Sequence, residues 1–290
     1  MSSARRAAVL GQPVSHSLSP VLHAAAYADL GLTGWMYDRV EIGDGATLHA
    51  FVESLGPDWV GLSLTMPLKR LVQPLLDTLS PTAAAVGSVN TLVLGDVGAP
   101  GVARRLRAGH NTDVHGIVAA LRETGVNRLA PGMSVVIGGG ATAASAVAAL
   151  ARMGDPATTV VVRSAQRAAE VMQAAERLGV VPRLAGFDDV DACLLAGCAA
   201  AVSTVPASGS DVVTSLIDRA GLVSGVLLDV VYEPWPTEVA TAWERAGGAV
   251  VGGFVMLLHQ AVEQVRLFTG QVPDVEVMRG AGLRELAARG

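Results

Sequence analysis

The sequence predicts a two-domain α/β protein, and three observations predict it. At 290 residues the chain is two domains long at roughly 150 residues each. Short apolar runs alternate with helical patterns along its length, as in sheets covered by helices. Between 133 and 251 those runs are three to six residues long and mostly apolar, which implies a parallel sheet buried on both faces.

In the first part, Ala7 to Leu10 reads as a strand ended by Gly11 and Pro13. Ser19 followed by Pro20 reads as an N-cap with proline at the first helical position, opening a helix to about Leu30. Trp35–Ile42 reads as a strand, 44–55 as a helix, Trp59–Leu64 as a strand and Met66–Leu79 as helical after its first residues. Val89–Leu94 and Ala103–Ala108 read as strands, the second with its arginines toward solvent. A helix over 114–125 closes at Gly125. Strands at 133–137, 158–162, 180–184, 199–203, 225–230 and 249–251 then alternate with helices at 141–153, 164–178, 211–220 and 236–246. Two helices, 253–269 and 275–288, end the chain.

Composition removes several classes of function. With 51% hydrophobic and 16% charged residues the chain is not disordered, and its 33 glycines follow no three-residue period, which excludes collagen. A net charge of −5, a pI near 5.7 and no dense basic tract argue against a nucleic-acid or anionic-membrane partner. The mean hydropathy of +0.44 raises the question of a membrane span, and the uncharged stretches 129–151 and 192–210 are long enough. Pro131 and Gly138–Gly140 break the first, and Ser203, Thr204, Pro206, Ser208 and Gly209 the second, so both read as strand, turn, then helix or loop and no membrane is expected. Only four apolar residues follow Arg5 and Arg6 before Gly11, so no signal peptide is expected. Cys193 and Cys198 form no disulfide framework; both read as small buried hydrophobes in a reducing, cytoplasmic protein. Six histidines without a tight pair of carboxylates give no metal cluster.

The apolar run Ser134–Ile137 leads into Gly138, Gly139, Gly140, Ala141, Thr142 and Ala143 and then an alanine-rich helix. Strand, glycine turn and helix in that order form a dinucleotide site: glycines admit the pyrophosphate, whose charge sits on the helix N-terminus. The second domain is therefore a Rossmann-like, doubly wound parallel sheet, beside a smaller α/β substrate domain. Gly138 and Gly140 fit the first two glycines of the fingerprint and Ala143 stands at the third. The next strand, Val160–Val162, ends on Arg163 and Ser164, with Arg167 following, where an NAD site carries a carboxylate. A guanidinium fork and a hydroxyl suit a 2′-phosphate, so NADP is expected, although both arginines are also ordinary helix-surface charges.

Polar clusters in the other domain fall where strands end: Ser15-His16-Ser17, Thr65 to Lys69, Ser88 to Asn90, and Gly109 to Asp113. Hydroxyls, an amide, a lysine and an aspartate suit a small polyhydroxylated acid, yet each cluster alone is also an ordinary turn. Of the 21 basic residues 20 are arginine, and Lys69 is the one lysine. Lysine can release a proton near neutral pH when buried or paired, and arginine cannot.

Taken together, G-x-P-x-x-H-S-x-S-P-x-x-H at 11–23, T-x-P-x-K at 65–69, V-N-T-L at 89–92, N-T-D at 111–113, D-x-x-Y-x-P-x-x-T at 229–237 and G-x-x-M-L-x-x-Q at 253–260 resemble the shikimate dehydrogenase family, in order and over nearly the whole chain. The resemblance implies a substrate domain of 1–112 and 253–290 with an NADP domain of 113–252. It implies that Ser15 and Ser17 bind the substrate carboxylate and that Thr65, Asn90, Tyr232 and Gln260 surround the ring hydroxyls. Lys69 and Asp113 would be the catalytic pair. Gly138, Gly139, Gly140, Ala141, Arg163, Ser164, Arg167, Thr204 and Gly253 would contact the cofactor. The implied activity is reversible, NADPH-dependent reduction of 3-dehydroshikimate to shikimate, by a monomer or homodimer. Quinate or aminoshikimate dehydrogenase on the same scaffold, and a non-catalytic NADP-binding sensor, are the alternatives. The chain departs from the family pattern at Ala141, Val162, Ser203, Val255 and Phe268, mostly on the cofactor side.

Overall fold

The computed structural model describes residues 4–97, 104–190 and 192–289. Its contacts divide the chain into two compact units, described separately here. The first takes the described residues up to 84, 88–112 and those from 258 on; the second takes 85–87 and 113–257.

The first unit begins with β1 (Arg5–Gly11), α1 (Ser19–Asp29), β2 (Trp35–Glu41), α2 (Gly45–Glu53), β3 (Trp59–Leu64) and α3 (Leu68–Leu71). β4 (Thr78–Leu79), α4 (Pro81–Val86), β5 (Thr91–Val97) and β6 (Arg104–His110) follow. The sheet order is β2-β1-β3-β5-β6-β4, with β5 antiparallel to both its neighbours and the other pairs parallel. Leu10, Leu48, Leu62, Leu68, Val89 and Leu92 form its apolar core.

The second unit holds α5 (Asp113–Glu123), β7 (Ser134–Ile137), α6 (Ala141–Arg152), β8 (Thr159–Val162), α7 (Ala165–Leu178), β9 (Arg183–Gly186), α8 (Ala192–Gly197), β10 (Ala200–Ser203), α9 (Ser210–Ala220), β11 (Val226–Asp229), α10 (Glu238–Arg245) and β12 (Ala249–Gly252). Its sheet runs β9-β8-β7-β10-β11-β12, all parallel. Strand residues alternate between two cores: Val136, Val160, Val202 and Leu228 on one face, Val135, Ile137, Val161, Ala201 and Leu227 on the other. Both faces are covered, which explains why these strands carry no polar alternation. The chain order reverses between β7 and β10, the switch point at which doubly wound sheets bind ligands beyond the strand ends. α11 (Gly253–Thr269) leaves the second unit at residue 257, and α12 (Val275–Arg289) belongs to the first.

Several local expectations are corrected. Ser19 is the first residue of α1 rather than its cap; the Ser17 hydroxyl accepts the Ser19 N–H at 3.2 Å. The same Ser-Pro pair at Ser80 and Pro81 does open a helix, α4, with Ser80 Oγ accepting the Ala83 N–H at 3.2 Å. The segment after Met66 breaks up, because Pro74 offers no N–H to continue a helix: α3 gives way to a 3₁₀ turn at Gln73–Leu75 and then to β4. β9 starts after Pro182 rather than at 180, and Val181 is left 82% exposed. α8 opens the apolar stretch 192–210 ahead of β10, where a strand is expected to come first. Arg105 turns from solvent and donates to the carbonyls of Gly56 (2.6 Å) and Trp59. Cys193 is exposed, whereas Cys198 is buried, with burial pushing its thiol pKa up to about 12. Among the described residues, no helix is long and apolar enough to cross a membrane.

Candidate functional site

In the first unit the strand ends carry the polar residues. Gly11 ends β1 against the Thr65 loop: Thr65 N–H donates to the Leu10 carbonyl at 2.9 Å and Gln12 N–H to the Met66 carbonyl at 2.9 Å. A β-carbon on Gly11 would fall 2.2 Å from Thr65 Cγ2, so only glycine allows this approach. Ser15 is exposed and Ser17 half-buried. Two arginines hold their loop: Arg39 donates to the Ser17 carbonyl through Nε (3.1 Å) and Nη2 (2.7 Å), and Arg289 donates to the His16 carbonyl at 2.8 Å. Neither was legible as a site support, because Arg289 lies 273 positions from His16.

Lys69 is half-buried on α3, and its carbonyl accepts the Val89 N–H at 2.8 Å, tying α3 to the chain just before Asn90. Asn90 is buried. Its Oδ1 accepts the Thr112 backbone N–H (2.8 Å) and the Thr91 hydroxyl (2.9 Å). Its Nδ2 donates to Thr112 Oγ1 (2.9 Å) and to Gln260 Oε1 (3.3 Å). The structure thus joins two sequence-predicted residues, Asn90 and Gln260, through a third, Thr112, that sequence reasoning read only as part of the N-T-D motif.

In the second unit the glycine turn follows β7. Gly138 has φ +125°, in the region that favours glycine, and a β-carbon there would lie 2.2 Å from Thr204 Oγ1. Thr204 is held by its own bonds to the Ile137 carbonyl, from its N–H at 2.9 Å and its hydroxyl at 3.1 Å. A β-carbon on Gly139 would strike the Arg167 carbonyl oxygen at 2.1 Å, so this glycine packs α7 against the turn. Gly140 caps α6 without a side-chain hydrogen bond, and a β-carbon there would meet nothing within 4 Å. The first two glycines serve the chain's own packing; the third faces open space over a helix N-terminus, where N–H groups and the helix dipole favour an anion.

Arg163, Ser164 and Arg167 are exposed after β8. Ser164 caps α7 without using its hydroxyl, and a β-carbon on Gly209 would lie 2.9 Å from an Arg163 guanidinium nitrogen. Tyr232 is half-buried on a loop closed by Asp229 and Thr237, the two ends of its sequence motif: the Thr237 hydroxyl donates to Asp229 Oδ2 at 2.6 Å and accepts the Ala240 N–H at 2.9 Å. Burial raises the Asp229 pKa, with the hydrogen bonds from Thr237 and the Val231 N–H opposing it. At Gly253 a β-carbon would fall 2.1 Å from the Val230 carbonyl oxygen, a packing reason for that glycine. Asp113 is buried at the start of α5. Among the described residues, no group of His, Cys, Asp and Glu could hold a metal ion.

The profile of the shikimate dehydrogenase substrate binding domain matches residues 9–92, and that of the shikimate 5′-dehydrogenase C-terminal domain matches 253–281. The chain is 32% identical to the shikimate dehydrogenase (NADP(+)) of Methanothermobacter thermautotrophicus, covering 96% of this chain and 95% of the relative. The chain belongs to the shikimate dehydrogenase family. The shikimate dehydrogenase (NADP(+)) of Paramagnetospirillum magneticum is 35% identical over 94% of this chain and 95% of its own. Among solved structures, the shikimate dehydrogenase of Mycobacterium tuberculosis is 40% identical, with a TM-score of 0.83 over 96% of this chain and 99% of that one. The shikimate 5-dehydrogenase of Thermus thermophilus, solved with NADP(H) and shikimate, is 30% identical with a TM-score of 0.78 over 97% and 99%. The family's two-part α/β architecture is the one seen here.

Proposed function

We propose that the protein reversibly reduces 3-dehydroshikimate to shikimate with NADPH, the substrate held by 1–112 and 253–290 and the dinucleotide by 113–252. The observation that carries this reading is the joining of Asn90 and Gln260, 170 positions apart, in one buried amide pair at the strand ends. Paired amides beside serine and threonine hydroxyls match a ring bearing several hydroxyl groups.

The second unit fits NADP on its own geometry. Gly140 leaves room for the pyrophosphate over a helix start that has no side-chain cap bond. Arg163, Arg167 and the Ser164 hydroxyl offer donors for a 2′-phosphate, and Arg163 follows β8 where an NAD site carries a carboxylate. Gly138, Gly139, Ala141, Thr204 and Gly253 shape the remainder of this site.

When bound, NADPH supplies a hydride to the ketone carbon of the substrate. The ketone oxygen then needs a proton, and Lys69 donates it from its ammonium group; in the reverse direction the neutral amine removes it. Arginine holds its proton too tightly for either step. Asp113 is the second member of the catalytic pair. Ser15 and Ser17 bind the substrate carboxylate, and Thr65, Asn90, Tyr232 and Gln260 hold the ring hydroxyls, so the reacting carbon is fixed before transfer. The protein works as a cytoplasmic monomer or homodimer on this small-molecule substrate.

Steady-state rates with shikimate and with quinate, each with NADP and NAD, test the proposal. Shikimate with NADP should be the fastest pair by at least tenfold. Quinate with NAD as the preferred pair would move the enzyme to the quinate branch of the scaffold, and NADPH binding without turnover would make it a sensor.

A further inference from the structure

We infer that Gln264 is a positioning residue for this reaction, fixing the direction of a buried hydrogen-bond chain that aims the amides of Asn90 and Gln260. The inference rests on the proposed function only in what those amides bind; the chain itself stands on geometry.

The direction follows from groups whose polarity is unambiguous. The Thr112 backbone N–H can only donate, so the Asn90 atom it meets at 2.8 Å is the amide oxygen. Thr91 Oγ1 lies 2.9 Å from that oxygen and must give its single proton there. Thr91 Oγ1 therefore accepts from the Gln264 atom 2.9 Å away, which must be the amide nitrogen. The Asn90 backbone carbonyl, which can only accept, lies 3.4 Å from the same nitrogen and gives the same answer. The Gln264 oxygen then faces Ser63 Oγ at 2.9 Å and His23 Nε2 at 3.4 Å.

Both neighbours are fixed in turn. Ser63 donates to Gln264 and accepts from the Tyr37 hydroxyl at 2.6 Å. His23 carries its proton on Nε2, and its Nδ1 accepts from the Tyr27 hydroxyl at 3.3 Å. At the other end, Asn90 Nδ2 and the Thr112 hydroxyl both donate to Gln260 Oε1, at 3.3 and 3.4 Å, which sets the Gln260 amide nitrogen on the opposite edge as a donor. His23, Ser63, Thr91, Thr112 and Gln264 are all at most 5% exposed. With water excluded, reversing Gln264 would set its oxygen against the Asn90 carbonyl and leave Thr91 with one proton for two acceptors.

Two measurements test this. The first needs no substrate: in protein labelled with ¹⁵N-histidine, His23 should show the Nε2–H tautomer. An Nδ1–H tautomer overturns the chain whether or not the enzyme turns over. The second compares Thr91→Val, which keeps shape but breaks the chain, with Thr91→Ser, which restores the hydroxyl. Thr91→Val should raise KM for shikimate roughly 5- to 150-fold, the range for an unsatisfied buried partner, with NADPH affinity unchanged. Thr91→Ser should return KM to near the parent value. An unchanged KM in folded Thr91→Val, or a KM that Thr91→Ser fails to restore, overturns the positioning role. If Thr91→Val does not fold, Gln264→Glu, which presents no amide donor to Thr91, should show the same KM rise, and a normal KM there overturns the role. A parent protein that does not oxidise shikimate defeats the proposed function and leaves the tautomer measurement to decide the chain.

Discussion

Gly138 and Thr204 meet where the parallel sheet reverses its order: a β-carbon on the glycine would stand 2.2 Å from the threonine hydroxyl oxygen, and the glycine's φ is +125°. Two strand ends, β7 and β10, are thereby locked together beneath the glycine turn. Replacing Gly138 with alanine forces a side chain into a strained backbone and an occupied space, costing about 1–3 kcal/mol of stability. Gly140→Ala meets no protein atom within 4 Å and should leave the thermal midpoint unchanged while weakening NADPH binding about tenfold or more. Calorimetric titration of both variants separates the two glycines. Unaltered NADPH affinity in Gly140→Ala would take the pyrophosphate off this turn.

Arg163 follows β8 with no carboxylate nearby in sequence to claim it, and it is exposed. Arg163→Ala should raise KM for NADP by about 1–3 kcal/mol equivalent, roughly 5- to 150-fold, by removing charge-assisted hydrogen bonds to a phosphate. KM for NAD, which lacks that phosphate, should hardly move. Equal losses with both cofactors would assign Arg163 a structural role against Gly209.

Lys69 is the chain's one lysine and sits on the short α3, anchored to the residue preceding Asn90 through its carbonyl. Lys69→Ala should lower kcat by roughly 10²- to 10⁴-fold with a modest change in KM, the span expected for a lost general acid. Lys69→Arg keeps the charge and should recover little, since arginine does not give up its proton. Near-normal turnover in either variant would remove proton transfer from Lys69.

The Tyr232 loop hangs on the Asp229–Thr237 bond of 2.6 Å, and Thr237 also caps α10. Thr237→Val loses both, at about 1 kcal/mol for the cap alone, and leaves a buried carboxylate short of a donor. The variant should melt earlier and show a raised KM for shikimate, whereas Thr237→Ser should preserve both. A Thr237→Val enzyme with parental KM would detach Tyr232 from the substrate.

Much of this was legible because local chemistry decides it. The turn at 138–140 needs glycine for reasons the neighbouring strand and helix already display, and Asp229 and Thr237 are close enough in sequence to read as one motif. Other features depend on partners that no local window contains. Gln264 meets Ser63 from 201 positions away and His23 from 241, so its four-residue spacing from Gln260 on α11 was the only trace in the sequence. The Ser-Pro pairs show the same limit from the other side. Identical dipeptides lie at the starts of α1 and α4, yet at α1 the N-cap position falls on Leu18 and the Ser19 N–H donates to the Ser17 hydroxyl, two residues earlier. β9 was displaced because Val180 and Val181 look like strand residues, while Pro182 delays the pairing that makes one.

His23 gives the fold its own acid sensitivity. Burial lowers its pKa from an ordinary 6.5 to about 3, outweighing the opposing hydrogen bond to Gln264. Between those two values the unfolded chain binds a proton that the folded one refuses. The contribution of His23 to stability is therefore intact above pH 6.5 and is lost progressively as pH falls toward 3. One such proton corresponds to at most about 1.4 kcal/mol per pH unit. His23→Gln removes the titrating ring while keeping an amide that can reach Tyr27 and Gln264. Urea unfolding from neutral pH to about pH 4 should give this variant a shallower dependence of stability on pH, by up to ~1.4 kcal/mol per unit, whatever its absolute stability. Parallel curves for the two proteins would mean that the folded chain accepts the proton on His23, and that the ring is not sealed from water.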